Sequence, residues 1–294
     1  MLVILNGAPK GGSTWLVQII FASQLFKKIP SQYQNQNWHN SSIDPDKLDM
    51  FFSEIDYRRN NYYCKQHWRG KQKYKNLLKD RNIKMVNIIR DIRDVLVSRY
   101  FHELREGRIS KKMNIGQYYW SGKGKNQVKK YIEYQTFWHE SNPQPFLCSY
   151  ERLHKDFLSQ IRELFSYLGF MNIKDSTIEK IQQETSLKKK DTGQGKFLRK
   201  GIVGDWRNYL SEKILKDLES LTKETGYLQL KEKMSQNFNL DLLKDIDFGT
   251  QPITSRSQHC IKSRIEKSKT NIENNKIKLD NIRSEIKYFS SKTN

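Results

Sequence analysis

Three segments of this 294-residue chain predict an α/β protein: a central parallel sheet with helices on both faces, three layers in all. Leu2-Val3-Ile4-Leu5 is a continuous apolar run suited to a buried strand, and Leu16-Val17-Gln18-Ile19-Ile20 then opens an apolar helical face. Met85 to Ile89 repeats the pattern ahead of a second helix, and Phe146 to Tyr150 repeats it again. Strand followed by helix, several times over, is the signature of a parallel sheet.

Taken in order, the first strand leads into a helix expected from about Ser13 to Lys28. A polar, aromatic-rich stretch follows to about Tyr57. A strand over Tyr62–Gln66 ends at His67 and precedes a short helix. Lys84–Ile89 is the next strand, with a helix from Asp94 to about Glu106 that Asp91 or Asp94 can cap. Residues 107–125 read as irregular because of Gly116, Gly122 and Gly124. A helix from about Gln127 to Glu140 stops before Pro143 and Pro145. The strand Phe146–Tyr150 comes next, then helices near Asp156–Leu168 and Asp175–Thr185 and a cation-rich loop from Lys188 to Gly204. In such a sheet ligands sit outside the C-terminal strand ends, where Lys10, His67, Arg90 and Tyr150 fall.

The first of those ends carries the densest chemistry. Pro9-Lys10-Gly11-Gly12-Ser13-Thr14-Trp15 joins strand to helix with small residues, so backbone N–H groups can close around a phosphate at the positive end of the helix dipole. Gly7-x-x-x-x-Gly12 has phosphate-loop spacing, but Ser13 occupies the position where that motif carries lysine; the lysine is three residues earlier, at Lys10. Arg90 and Ser98 flank a second strand-to-helix junction and suit one anion. Arg199-Lys200-Gly201 supplies adjacent cations beside glycine, a third anion site. Three separate anion sites imply a ligand with more than one anionic group.

These segments resemble the nucleotide-dependent sulfotransferases, which use 3′-phosphoadenosine 5′-phosphosulfate (PAPS). The first is similar to that family's 5′-phosphosulfate loop, the second to its 3′-phosphate motif, and the third to its C-terminal Arg-Lys-Gly clamp. Lys65-Gln66-His67 resembles the Lys-x-His segment with the catalytic base, and Tyr150-Glu151-Arg152-Leu153 the Tyr-Glu-x-Leu strand end. The resemblance spans roughly residues 1–210. It implies that Lys10, Lys65 and His67 are catalytic, with His67 as base in an in-line transfer and Lys65 on the sulfuryl oxygens. It assigns Gly11, Gly12, Ser13 and Thr14 to the 5′-phosphosulfate. Arg90, Ser98, Arg199, Lys200 and the Gly201 N–H go to the 3′-phosphate, and Trp15 and Tyr150 to the adenine. Leu187 stands where the family often has the phenylalanine covering the second adenine face. The expected acceptor is a hydroxyl (or an amine or guanidine nitrogen) of a small molecule, such as a secondary metabolite being tailored, with adenosine 3′,5′-bisphosphate (PAP) as product and no metal.

Composition agrees with anionic ligands. The formal net charge is +21, with 53 Lys and Arg against 32 Asp and Glu. Such a field would steer a multiply charged cosubstrate, although it also permits nucleic-acid or membrane-surface binding. Three cysteines are too few for a disulfide framework. The opening apolar run is too short and wrongly flanked for export, so the expectation is a cytoplasmic protein with no membrane and no nucleic-acid partner. Two other readings remain: a phosphate-loop kinase using Mg-ATP, and a non-catalytic basic module for polyanions. The enzyme domain is expected over 1–234. The extension over 235–294 shows a heptad seam from Ile261 to Phe289, suited to docking on the body or to a homo-oligomer. Trp38, Phe51, Phe52, Trp68, Tyr118 and Tyr119 are candidates to line an apolar acceptor pocket. Asp44, Asp46, Asp49, Glu54 and Asp56 are candidates to face a cationic acceptor, or simply caps on a solvated helix.

Overall fold

The computed structural model describes residues 1–35, 42–186, 201–225 and 227. Clustering of contacts divides the chain into two units, Met1–Lys233 and Met234–Asn294. The expected heptad seam from Ile261 to Phe289, together with Trp38, Leu187, Arg199 and Lys200, lies outside the described residues.

Five parallel strands form the sheet in the order β2-β3-β1-β4-β5. They are β1 (Leu2–Gly7), β2 (Lys27–Lys28), β3 (Tyr62–Gln66), β4 (Ile83–Ile89) and β5 (Phe146–Ser149). β1 is central, pairing with β3 on one side and β4 on the other, and each of its six residues is buried. This explains the uninterrupted apolar run: a strand covered on both faces has no solvent side to alternate with.

On one face, Val3, Leu5, Val86 and Ile88 join a core with Leu16, Ile19 and Ile20 of α1 (Ser13–Ala22). Ile161, Leu164 and Phe165 of α8 (Phe157–Tyr167) and Ile178 and Ile181 of α9 (Asp175–Thr185) complete it. The opposite face is reached through the alternate strand positions. There the Tyr134 hydroxyl of α6 (Lys123–His139) donates to Asn87 Oδ1 at 2.9 Å, and the Asn6 side chain accepts from the Trp68 N–H at 2.9 Å. α4 (Ile92–Arg105) packs against α6. The architecture is the expected three-layer α/β sandwich.

Several boundaries differ from expectation. The first helix stops at Ala22, because Ser23 Oγ donates to the Ile20 carbonyl at 2.7 Å and Gln24 turns the chain at φ 58°. No glycine or proline announces that stop, and Lys27–Lys28 becomes the edge strand β2. The polar stretch before Tyr57 holds α2 (Leu48–Glu54), and α3 (Gln72–Leu77) is the short helix after His67. Residues 107–125 contain α5 (Ile115–Trp120), started by reciprocal Asn114 and Gln117 caps, and the beginning of α6. Ser149 caps α7 (Tyr150–Lys155), so Tyr150 opens a helix instead of ending a strand. Past the clamp segment, α10 (Glu212–Glu224) closes the described chain.

Candidate active site

The expected strand-end residues do converge at the C-terminal edge of the sheet. Gly7 ends β1, His67 follows β3, Arg90 follows β4 and Tyr150 follows β5. The loop after β1 tightens as the Gly11 N–H donates to the Ala8 carbonyl at 2.9 Å. Gly12 caps α1 at φ 105°, and a Cβ there would lie 2.7 Å from Tyr150 Cδ2. The position therefore requires glycine twice, for its backbone angle and for its close approach to Tyr150. α1 has no side-chain cap and no acid in its first turn, an amino end whose N–H groups and dipole suit an anion.

Cations surround that end. Lys65 is 7% exposed, and its Nζ donates to Thr14 Oγ1 at 3.1 Å. Burial lowers its pKa to about 8. Lys10 sits in the left-handed region at φ 74°, and its pKa is also lowered to about 8. Burial is the main cause there, followed by the charges of Arg105, Arg99, Arg90 and Lys65. Arg99 and Arg105 are paired with Glu103 and Glu106, yet the cations still depress Lys10, and an arriving polyanion would oppose that effect.

His67 Nδ1 bonds the Gly7 carbonyl. A carbonyl only accepts, so the proton of the neutral ring is on Nδ1 and the basic lone pair on Nε2. The strand-end position and the β1 backbone together select the tautomer.

At the next junction, Asp91 caps α4 by accepting from the Arg93 N–H. The Arg90 guanidinium lies 4.2 Å from the Tyr150 ring centroid, and its Nη donates to the Ile202 carbonyl at 3.2 Å. Ser98 is half-buried on α4. Gly201, at φ 65°, begins the described part of the clamp segment. That segment is held by Asp94, which is 2% exposed and accepts from the Gly204 N–H at 2.7 Å and the Trp206 N–H at 3.1 Å. Burial pushes the Asp94 carboxyl above its ordinary pKa, with the two N–H bonds and Arg90 opposing the shift.

Trp15 is 7% exposed, its ring packed against Tyr150 (5.4 Å), His154 (4.8 Å) and Phe157 (6.3 Å). Its buried Nε1 has no hydrogen-bond partner among the described residues. Tyr150 is 3% exposed.

The aromatic acceptor candidates do not gather. Tyr119 donates to Asp217 Oδ2 at 2.6 Å, and Tyr118 packs on Tyr100 within the interior. Trp68 stacks on Tyr74 at 4.2 Å between ring centroids. Phe51 is fully buried among Tyr33, Phe52, Tyr57 and Tyr62. Apolar side chains in those stretches are drawn into core packing, which periodicity alone does not distinguish from a pocket. Three of the five acids between residues 41 and 56 are engaged structurally. Asp44 caps a 3-10 turn, Glu54 accepts from the Tyr33 hydroxyl, and Asp56 accepts from the Arg59 N–H.

Other residues proved more informative. The Tyr131 hydroxyl accepts from the Arg90 N–H at 2.8 Å and donates to the Arg90 carbonyl at 3.1 Å, locking that junction. Glu151, whose carboxyl burial raises, accepts from the Asp91 N–H at 2.9 Å and so ties the end of β5 to that of β4. The motif position of Glu151 was a usable signal; Asp94 reads in the sequence only as a candidate cap, a place Asp91 takes, and nothing local marks Tyr131 or the Asp94 bonds to Gly204 and Trp206.

The sulfotransferase domain profile matches residues 2–238. The chain belongs to the sulfotransferase domain family. Rat sulfotransferase 2A1 is 27% identical over 230 residues, covering 71% of this chain and 78% of that protein. Guinea pig 3-beta-hydroxysteroid sulfotransferase is 26% identical over 242 residues, covering 74% and 82%. The crystal structure of mouse sulfotransferase SULT7A1 complexed with PAP superposes with a TM-score of 0.60 at 19% identity, covering 81% of this chain and 89% of that one, a likeness of fold. Among the described residues of this sulfotransferase, no helix is long and apolar enough to cross a membrane, and no group of three or more His, Cys, Asp or Glu side chains is placed to hold a metal ion.

Proposed function

We propose that the protein moves a sulfuryl group from PAPS to a hydroxyl (or an amine or guanidine nitrogen) of a small-molecule acceptor. The observation that supports this reading is the His67–Gly7 bond, which holds Nδ1 on a backbone carbonyl and so leaves Nε2 as the nitrogen that could act as base. PAPS fits the residues present: α1 has no side-chain cap and no acid in its first turn, and burial lowers Lys10 and Lys65, which an anion beside them would oppose. When bound, PAPS supplies an activated sulfuryl group with a phosphate leaving group.

The chain's residues then do the positioning and charge compensation that such a transfer needs. Lys10 holds the oxygen on which charge builds. Lys65, steadied by Thr14, faces the sulfuryl oxygens. The amides of Gly11, Gly12, Ser13 and Thr14 cradle the 5′ end. His67 takes the acceptor's proton at Nε2. Arg90, Ser98 and Gly201, with Arg199 and Lys200, receive the 3′-phosphate. Trp15, Tyr150 and Leu187 bound the adenine.

Thermal unfolding with added nucleotides tests this. PAP without magnesium is expected to raise the melting temperature more than Mg-ATP does; the stabilisation behind the shift is RT ln(1 + [L]/Kd), ~2.7 kcal/mol at a hundredfold excess of PAP over its Kd. A larger shift with Mg-ATP than with PAP would reassign the protein as a kinase. A shift with polyanions alone would make it a binding module.

A further inference from the structure

A cavity of about 290 Å³ adjoins the loop, with Pro9, His67, Arg69, Arg99, Lys130 and Tyr134 among its lining. This is the small end of the ~300–1,000 Å³ range of ligand pockets. Its wall is apolar, from Val95, Leu96 and Val128 and the rings of Tyr131 and Tyr134. Both tyrosine hydroxyls are committed elsewhere, to the Arg90 backbone and to Asn87, so these residues offer the cavity ring surface. Every ionisable group on the lining other than these two phenols is basic: His67, Arg69, Arg99 and Lys130. No carboxylate lines it among the described residues. Arg99 has one counter-ion, Glu103, at 2.7 Å on its own helix, while Arg69 and Lys130 are exposed.

The positive field there is felt by neighbouring groups. Arg105 and Arg99 are the leading charges that depress Lys10, and His102 is held below its ordinary pKa by burial first and Lys10 second. A neutral apolar alcohol would fill such a cavity without compensating its cations, and an ammonium group would be repelled by them. An acceptor with an apolar body and its own negative charge satisfies both the wall and the cations.

We propose that the acceptor is a small alcohol or phenol bearing an anionic group, seated with its hydroxyl on His67 and its anion on Arg99, with Arg69 and Lys130 steering it in. This rests on the sulfotransferase reading and narrows its substrate class. In the transfer, the acceptor oxygen forms the new O–S bond and gives its proton to His67 Nε2. The electron pair of the broken S–O bond goes to the donor's phosphate.

Three phenols of similar size test it on the full chain: 4-hydroxyphenylacetate, its neutral amide, and tyramine. Calorimetry on the PAP-saturated protein measures binding, and initial rates with labelled PAPS measure kcat/KM. The carboxylate is expected to exceed the amide by about tenfold in both, and tyramine by more. Arg99→Gln and Lys130→Gln are each expected to shrink the carboxylate-to-amide ratio about threefold. Equal or reversed preference overturns the proposal, as does failure of all three to bind the PAP-saturated protein. Loss of PAP affinity in Arg99→Gln with the ratio intact also overturns it, by reassigning the cation to the cosubstrate. If PAP itself fails to bind, the sulfotransferase reading falls first and this one with it.

Discussion

His67 and Gly7, sixty residues apart in the chain, are joined by a bond from the imidazole Nδ1–H to the backbone carbonyl. That one contact orients the ring and assigns its basic nitrogen. His67→Asn keeps a donor that can reach Gly7 but has no second nitrogen to take a proton. It is expected to fold with an unchanged melting temperature and lose about 10²–10⁴-fold in kcat. An activity close to wild type would remove His67 as the base.

Lys10 and Lys65, both lowered to about 8, predict a pH signature. An anion favours the charged form, so nucleotide binding raises both pKa values. PAP affinity should therefore weaken as pH climbs from 7 to 9, by up to about tenfold per lysine for each unit above pH 8. Binding near pH 8 should take up protons, visible as a dependence of calorimetric heat on the buffer's ionisation enthalpy. A flat profile would mean that neither lysine meets the ligand.

The same burial makes Lys65 a stability cost. Its folded pKa lies below the 10.5 of free lysine, so the unfolded chain holds the proton more readily. The cost is full below about pH 8 and is relieved as pH rises toward 10.5. Lys65→Met should raise the apo melting temperature at pH 7 by about 2–4 °C, the shift ~1 kcal/mol produces in a domain of this size. It should lower PAPS turnover at the same time. The opposition between the two readouts is what a purely structural lysine would not give.

Asp94 holds the segment that follows Gly201, and on the proposed reading would act on the nucleotide only through it. Asp94→Ala leaves one buried and one part-buried N–H group without their acceptor and should cost about 1–3 kcal/mol. Asp94→Asn retains bulk and one acceptor. It should unfold near the wild-type temperature yet bind PAP about tenfold more weakly, because each 1.4 kcal/mol of lost positioning is tenfold in affinity. Equal PAP affinity in both would show that the clamp segment does not depend on this staple.

Gly12→Ala places a Cβ against Tyr150 at a backbone angle that L residues resist. Destabilisation of about 1–3 kcal/mol is expected, together with loss of the PAP-induced melting shift. Gly107→Ala is the control: its φ is also positive, at the milder 66°, with nothing within 4 Å of its Cβ and no part in the site. It should keep the PAP shift.

Along the chain, the sequence alone determined the strand-helix alternation, the glycine loop, the order of the candidate anion-binding segments and the strand-to-helix junctions at which Lys10, His67, Arg90 and Tyr150 sit. These follow from local rules, since apolar period, glycine spacing and dipole position are all written within ten or fifteen residues. Only tertiary structure decided the rest. The His67 tautomer needed β1 beside β3, and the Asp94 staple needed a segment 110 residues downstream to return to α4. The basic lining of the cavity needed α4 and α6 to meet over the end of β3. The same packing drew Phe51, Trp68, Tyr118 and Tyr119 into the interior. Which way a side chain faces across elements so distant depends on how those elements dock, and no local pattern encodes that.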